Sequence, residues 1–240
     1  MKRIIKYIPD FITSMNLVCG IVGVVFTFKG RFDIAFPLML AAAVFDFCDG
    51  LAARALDAYS DLGRELDSLC DMVSFGVLPS VMLYQLMRIC TYSDSVLCYV
   101  PLLIAVFSGL RLAKFNVDER QHENFLGMAT PIGAILCGSL AYFVAYEPDS
   151  FLSTWASGLV FIPLLSVILC ALLVCEIPMF SMKFKRGQDK VLLRKRIYFA
   201  INVLLIVGIV VALGLNWSLV GLLTSVFYVF MNVVYALFKI

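Results

Sequence analysis

The chain has 240 residues, of which 62% are hydrophobic and only 15% charged, with a formal charge of +2 and a mean hydropathy of +0.96. Soluble globular domains carry about 25% charged residues. The composition therefore excludes an ordinary soluble fold and points to an all-α, polytopic membrane bundle. The near-neutral balance gives no reason to expect nucleic acid as a partner.

At the start, Ile4, Ile5 and Ile8 share one face and Lys2, Arg3 and Lys6 supply charge, which predicts a short amphipathic segment at the membrane surface. No small-residue cleavage site follows, so the first apolar run reads as a retained helix. Eight apolar segments can be drawn, each near the roughly 20 residues needed to span a bilayer: 11–28, 33–55, 62–87, 95–115, 128–146, 151–175, 197–214 and 217–238. Polar breaks separate them, among them KGR (29–31), VDERQHEN (117–124), EPDS (147–150) and KFKRGQDKVLLRKR (183–196). No fixed-period repeat is present, which argues against a solenoid or a repeat-built transporter.

With the N-terminus inside and the spans alternating, only Lys29, Arg31 and Arg88 of the 19 Lys and Arg residues fall outside. The asymmetry predicts about eight spans with both termini in the cytoplasm. The basic run 183–196 either fixes this topology or attracts anionic lipid, and the first reading is preferred.

The 8 cysteines lie mostly in apolar runs (Cys19, Cys48, Cys70, Cys137, Cys170) with no CxxC pair, and read as small buried apolar residues in reduced surroundings. His122, the single histidine, sits in a polar stretch and reads as a loop residue, so a histidine-rich zinc site is excluded.

The informative segment is DFCDGLAARALDAYSDLGRELDSLCD (46–71), which carries Asp46, Asp49, Asp67 and Asp71 between apolar runs. A carboxylate at bilayer depth costs about 2.5–3.5 kcal/mol on insertion scales, so such acids usually face a cavity and serve function. Asp46 and Asp49 are three apart and Asp67 and Asp71 four apart, so each pair shares a helix face. Antiparallel spans joined by a short turn near 57–61 would bring both pairs to one depth, at the cytoplasmic ends of spans two and three. Four repelling acids are held together by bound cations, and an all-oxygen donor set favours Mg²⁺ or Mn²⁺; four carboxylates can bridge two such ions. Gly50 and Gly63 allow a flat or bulky group to approach the backbone, and Arg54 places a fixed cation near a phosphate. Structural Asp–Arg pairing and a cation-transport site are the competing readings.

These residues match D-x2-D-G-x2-A-R-x8-G-x3-D-x3-D at every fixed position: Asp46, Asp49, Gly50, Ala53, Arg54, Gly63, Asp67 and Asp71. The pattern resembles the hallmark of the CDP-alcohol phosphotransferases. Flanking runs resemble the integral-membrane phosphatidylserine synthases within that family: IPDFITSMNLVCG (8–20), ELDSLCDMVSFGVLPS (65–80), SGLRLAKFN (108–116) and NFLGMATPIGA (124–134). Asp10 stands where that pattern usually has Asn, and Ala129 where it usually has Pro.

The resemblance implies a metal-dependent transfer of a phosphatidyl group from CDP-diacylglycerol to L-serine, giving phosphatidylserine and CMP. Asp46, Asp49 and Asp67 would be metal ligands, with Asp71 completing the two-ion site and acting as general base. Gly50, Ala53 and Gly63 would lie against the nucleotide, with Arg54 near a phosphate. It also implies a homodimer; we expect it in the cytoplasmic membrane of a prokaryote, among membrane lipids. The whole chain, 1–240, is expected to form one membrane domain: a six-span core (1–175) followed by a basic cytoplasmic loop and two extra spans (176–240).

Serine brings a carboxylate that needs a cation. Arg111 and Lys114, three apart, share a face at the cytoplasmic end of span four, with Asn116 adding an amide and Ser74 and Phe75 about one turn beyond Asp71. One of the two cations is expected to hold the serine carboxylate while Asp71 faces the hydroxyl; positive-inside anchoring is the alternative use for them. Sister activities remain open: transfer to glycerol-3-phosphate or inositol phosphate, or use of an archaeal-type lipid.

Overall fold

A computed structural model describes residues 7–91, 95–117, 125–180 and 190–238. Residues 1–6 of the predicted amphipathic start (1–9), the loop carrying His122 and residues 183–189 of the basic run lie outside the described residues.

The molecule is a helical bundle threaded up and down. Helix α1 (Ile8–Phe28) begins with Pro9 in its first turn, where a missing N–H costs nothing. Helix α2 (Phe32–Ala55) returns. The third span is one rod of 31 residues, Asp61–Thr91. It consists of α3 (Asp61–Asp71), a π turn (Met72–Val77) and α4 (Leu78–Thr91). Ser60 caps α3, its hydroxyl accepting a hydrogen bond from the Gly63 N–H at 2.9 Å. A 3₁₀ turn (Val96–Leu102) containing Pro101 leads into α5 (Leu103–Val117). After strand β1 (Phe125–Leu126) come α6 (Thr130–Tyr146), α7 (Phe151–Ala156) and α8 (Phe161–Val174). Strand β2 (Pro178–Met179) precedes α9 (Lys190–Ala212) and α10 (Ser218–Phe238).

Six of these helical stretches are long and apolar enough to cross a membrane, while α6 and α8 are shorter, at 17 and 14 residues. At 1.5 Å per residue, α8 covers roughly 21 Å of a hydrocarbon core about 30 Å thick. The expected single span over 151–175 is thus two pieces. The chain turns over residues 157–160, at Ser157 and Gly158, and restarts as α8, where Pro163 fits the first turn.

The core gathers Phe32, Phe36 and Met39 of α2, Phe75 of the π turn, Leu78, Met82, Leu83 and Leu86 of α4, and Leu140 of α6, all 1% exposed or less. The end of the bundle away from the aspartates carries an aromatic belt. Trp217 stacks on Phe36 at 5.2 Å between centroids and donates its Nε1–H to the Tyr142 hydroxyl at 3.2 Å. Such rings suit a membrane–water boundary.

The packing order differs in one respect from the expectation that spans two and three are direct neighbours. Helix α1 packs along α2 and also along the α3–α4 rod, whereas the largest contact of α2 with that rod is at the π turn. Small residues on α1 make this possible. A Cβ on Gly20 would collide with the Ser74 hydroxyl, and one on Gly23 would lie 2.7 Å from Leu78 Cδ2.

Candidate active site

Thr13, Asn16 and Gly20 recur at i, i+3 and i+7 and so share one face of α1. That face meets the acids. The Thr13 hydroxyl lies 2.6 Å from Asp49 Oδ2 and 3.0 Å from the Pro9 carbonyl. It has one proton, and the shorter contact with the carboxylate takes it. Asn16 donates its amide N–H to Asp71 Oδ1 at 3.2 Å. The Ser74 hydroxyl donates to the Asn16 carbonyl at 3.0 Å, tying α1 to the π turn. Helix α1 therefore grips one acid from each side of the site.

Carboxylate oxygens of Asp46, Asp49 and Asp67 all lie within 4.8 Å of one another. Asp71 follows one turn after Asp67, near enough to interact electrostatically with all three. The donors are oxygens only and the charges repel, which suits a hard divalent cation and fits the residues to the implied metal. The π turn begins immediately after Asp71. Its wider winding changes the angular phase between the polar face of α3 and the apolar face of α4, so the acids face the site while Leu78 and Met82 enter the core.

Beside the acids is a cavity of about 560 Å³, lined by Asp10, Thr13, Asp49, Gly50, Ala53, Tyr59, Gly63, Arg64 and Asp67 among others. Its two motif glycines differ. Nothing lies within 4 Å of where a Gly50 Cβ would stand, whereas a Gly63 Cβ would lie 2.9 Å from Asp10 Oδ1 and 2.9 Å from Ser60 Oγ. A side chain at Gly63 would therefore crowd the protein's own atoms, while the space beside Gly50 is open. Gly50→Ala is accordingly expected to fold with an unchanged melting temperature and to weaken binding of a nucleotide-bearing ligand at least about tenfold, measured by ligand titration. A lowered melting temperature with unchanged binding would contradict this.

The basic residues sort differently from their spacing. Arg54 is exposed at the end of α2 and is not among the cavity-lining residues, whereas Arg64, in the first turn of α3, lines the cavity. Arg111 is 7% exposed and donates from Nη1 to Thr130 Oγ1 at 3.2 Å. It lies within electrostatic reach of Asp71. Lys114 turns outward to Glu176, with an N–O distance of 3.3 Å. Asn116 donates to Ser68 Oγ at 2.9 Å, joining the end of α5 to α3 beside Asp67. Ser74 and Phe75 are fully buried, the first bound to α1 and the second in the core, so both support the site from behind.

The fixed positions of the aspartate motif do not include Thr13, Asn16, Arg64 or Thr130. The T-x2-N-x3-G spacing within IPDFITSMNLVCG carries the signal for the first two.

The fold and site together are a membrane-helix bundle with carboxylates clustered beside a cavity, able to hold a divalent cation. Residues 6–169 match the CDP-alcohol phosphatidyltransferase family, and the chain belongs to it. It is 35% identical over 143 residues to the CDP-diacylglycerol–serine O-phosphatidyltransferase of Bacillus subtilis, covering 60% of this chain and 78% of that protein. It is 36% identical over 167 residues to the protein of the same name from Mycobacterium tuberculosis, covering 64% of this chain and 57% of the relative. Similarity to an archaetidylserine synthase of Methanothermobacter thermautotrophicus is 33% over 143 residues, 58% of this chain and 60% of that one. The chain thus spans little more than half of the mycobacterial and archaeal relatives.

Proposed function

We propose that this enzyme transfers the phosphatidyl group of CDP-diacylglycerol to L-serine. The observation that carries the choice of acceptor is Arg111, a cation buried among apolar helices and placed near Asp71. A buried guanidinium suits a carboxylate, which it can meet with two parallel hydrogen bonds. The names of the bacterial relatives support serine as the acceptor.

Asp46, Asp49 and Asp67, completed by Asp71, would hold two divalent ions, Mg²⁺ or Mn²⁺. Bound there, the metal would neutralise charge on the diphosphate and on the departing CMP. The protein's own groups do the rest. Gly50 and Ala53 leave room for the cytidine nucleotide, and Arg64 at the start of α3, with Arg54 nearby in sequence, supplies positive charge to the phosphates. Asn16 holds one oxygen of Asp71, which fixes where the other points. That carboxylate takes the proton of the serine hydroxyl as the serine oxygen forms a bond to the lipid-side phosphorus. The bond from that phosphorus to the oxygen of CMP breaks, and CMP leaves with the electron pair. Orientation and fixed electrostatics supply most of the acceleration.

The same reading puts the acid end of the bundle on the cytoplasmic side of a prokaryotic cytoplasmic membrane. The enzyme would act as a homodimer, with residues 1–175 as the catalytic core. Of the two cations at the end of α5, the serine carboxylate is assigned to Arg111, because Lys114 is directed to Glu176. Arg111→Ala is expected to raise the serine KM at least about tenfold, the loss of one charge-assisted hydrogen bond or more, with the KM for CDP-diacylglycerol unchanged. Unchanged serine kinetics would sink this assignment.

A further inference from the structure

Residues 176–180 and 190–238 lie beyond the stretch that matches the family, yet they pack behind Arg111, with Tyr228 its electrostatic neighbour. Residues 125–129, immediately before α6, are not helical. Strand β1 pairs with β2, with Phe125 opposite Met179 and Leu126 opposite Pro178. The Gly127 N–H donates to the Ile177 carbonyl at 3.0 Å and the Met128 N–H to the Leu172 carbonyl at 2.8 Å. Gly127 has φ +79°, and a Cβ there would lie 2.7 Å from the Leu173 carbonyl oxygen and 2.8 Å from that of Cys175. This clasp leads directly into Thr130, the residue that receives Arg111.

The other side of the clasp is held by α10. Asn232 Oδ1 accepts the Phe180 N–H at 2.9 Å, and the Tyr228 hydroxyl donates to the Phe180 carbonyl at 2.8 Å. Asn232 in turn donates to the Tyr228 carbonyl at 2.8 Å. Both polar groups of one non-helical residue are thus satisfied by two buried side chains of the last helix. Irregular backbone among membrane helices persists only where its polar groups find such partners. The rings of Phe180, Tyr228 and Phe199 of α9 close around one another at 5.1–5.8 Å between centroids. Tyr228, 2% exposed, is also an electrostatic neighbour of Arg111.

We infer that the last two helices are a brace for the acceptor side of the active site: Tyr228 and Asn232 are positioning residues that fix the clasp, and the clasp fixes Thr130 and Arg111 facing Asp71. This rests on the assignment of Arg111 to the acceptor alcohol. It gives helices outside the catalytic core a part in substrate selection.

The test is a double-mutant cycle on the full chain. Tyr228→Phe removes one hydroxyl and keeps the ring. It is expected to raise the serine KM on the order of tenfold, as for a lost buried hydrogen bond, with the KM for CDP-diacylglycerol unchanged. In an Arg111→Ala background the same substitution should add nothing further, because residues acting through one another are not additive. If Tyr228→Phe does not purify as a folded protein, Asn232→Ala takes its place with the same expectation. A serine KM that stays unchanged, a loss shared equally by both substrates, or additive effects in the two backgrounds would overturn the brace. If the parent enzyme uses another alcohol and not serine, the serine reading fails, and the same cycle run with that alcohol tests the brace separately.

Discussion

Asp71→Asn is expected to lower kcat at least about a thousandfold, within the range for removing a general base, while CDP-diacylglycerol still binds. The substitution keeps size and shape, and the amide oxygen of D71N still accepts the hydrogen bond that Asn16 now gives to Asp71 Oδ1 at 3.2 Å. The three carboxylates that meet within 4.8 Å remain untouched. What is lost is the carboxylate oxygen proposed to take the acceptor's proton. Comparing single-turnover rates with equilibrium binding of the CDP-lipid separates the two effects. Turnover within tenfold of the parent would remove Asp71 from the chemistry. Parallel loss of binding and turnover would make it a ligand-holding residue.

Chelation should have an effect as large. Without a cation, Asp46, Asp49 and Asp67 would repel one another, and the site would lose the charge proposed to draw the diphosphate. EDTA is expected to reduce activity to background, with recovery on adding Mn²⁺ or Mg²⁺. The ion should also raise the melting temperature of the detergent-solubilised protein, since a ligand that binds only the folded state stabilises it. Asp49→Asn tests the source of that shift. Asp49 is the most buried acid of the three and holds the Thr13 hydrogen bond at 2.6 Å. Its replacement should abolish both the activity and the ion-dependent thermal shift. Full activity in EDTA, or an unaltered shift in Asp49→Asn, would contradict the metal assignment.

Much of this was legible in the sequence because a bilayer constrains a chain so strongly. Apolar runs near 20 residues placed most of the long spans to within a few residues, although α9 begins at Lys190 and not at 197, and the convergence of Asp46, Asp49 and Asp67 followed from spacing on two helices. What spacing does not carry is which helix stands between two others. Consecutive spans joined by a short turn suggest neighbours, but Gly20 and Gly23 let α1 come close to Ser74 and Leu78, and so Thr13 and Asn16 join the acids. Similarly, Arg111 and Lys114 are equivalent by helical phase. Only their tertiary partners, Thr130 for one and Glu176 for the other, separate them. The break at Ser157 and Gly158 was hidden because a window of apolar residues reads alike whether or not the backbone turns. The β1–β2 clasp was hidden because two-residue strands have no periodicity to read.

The proposed activity is transfer of a phosphatidyl group from a CDP-lipid to serine. The most direct measurement is CMP release by the purified full chain in detergent, with CDP-diacylglycerol, Mn²⁺ or Mg²⁺, and one acceptor at a time. Serine is expected to support CMP release and incorporation of radiolabelled serine into lipid in equal amounts, with glycerol-3-phosphate and inositol phosphate at background. CMP release with glycerol-3-phosphate or inositol phosphate but not with serine would contradict the account.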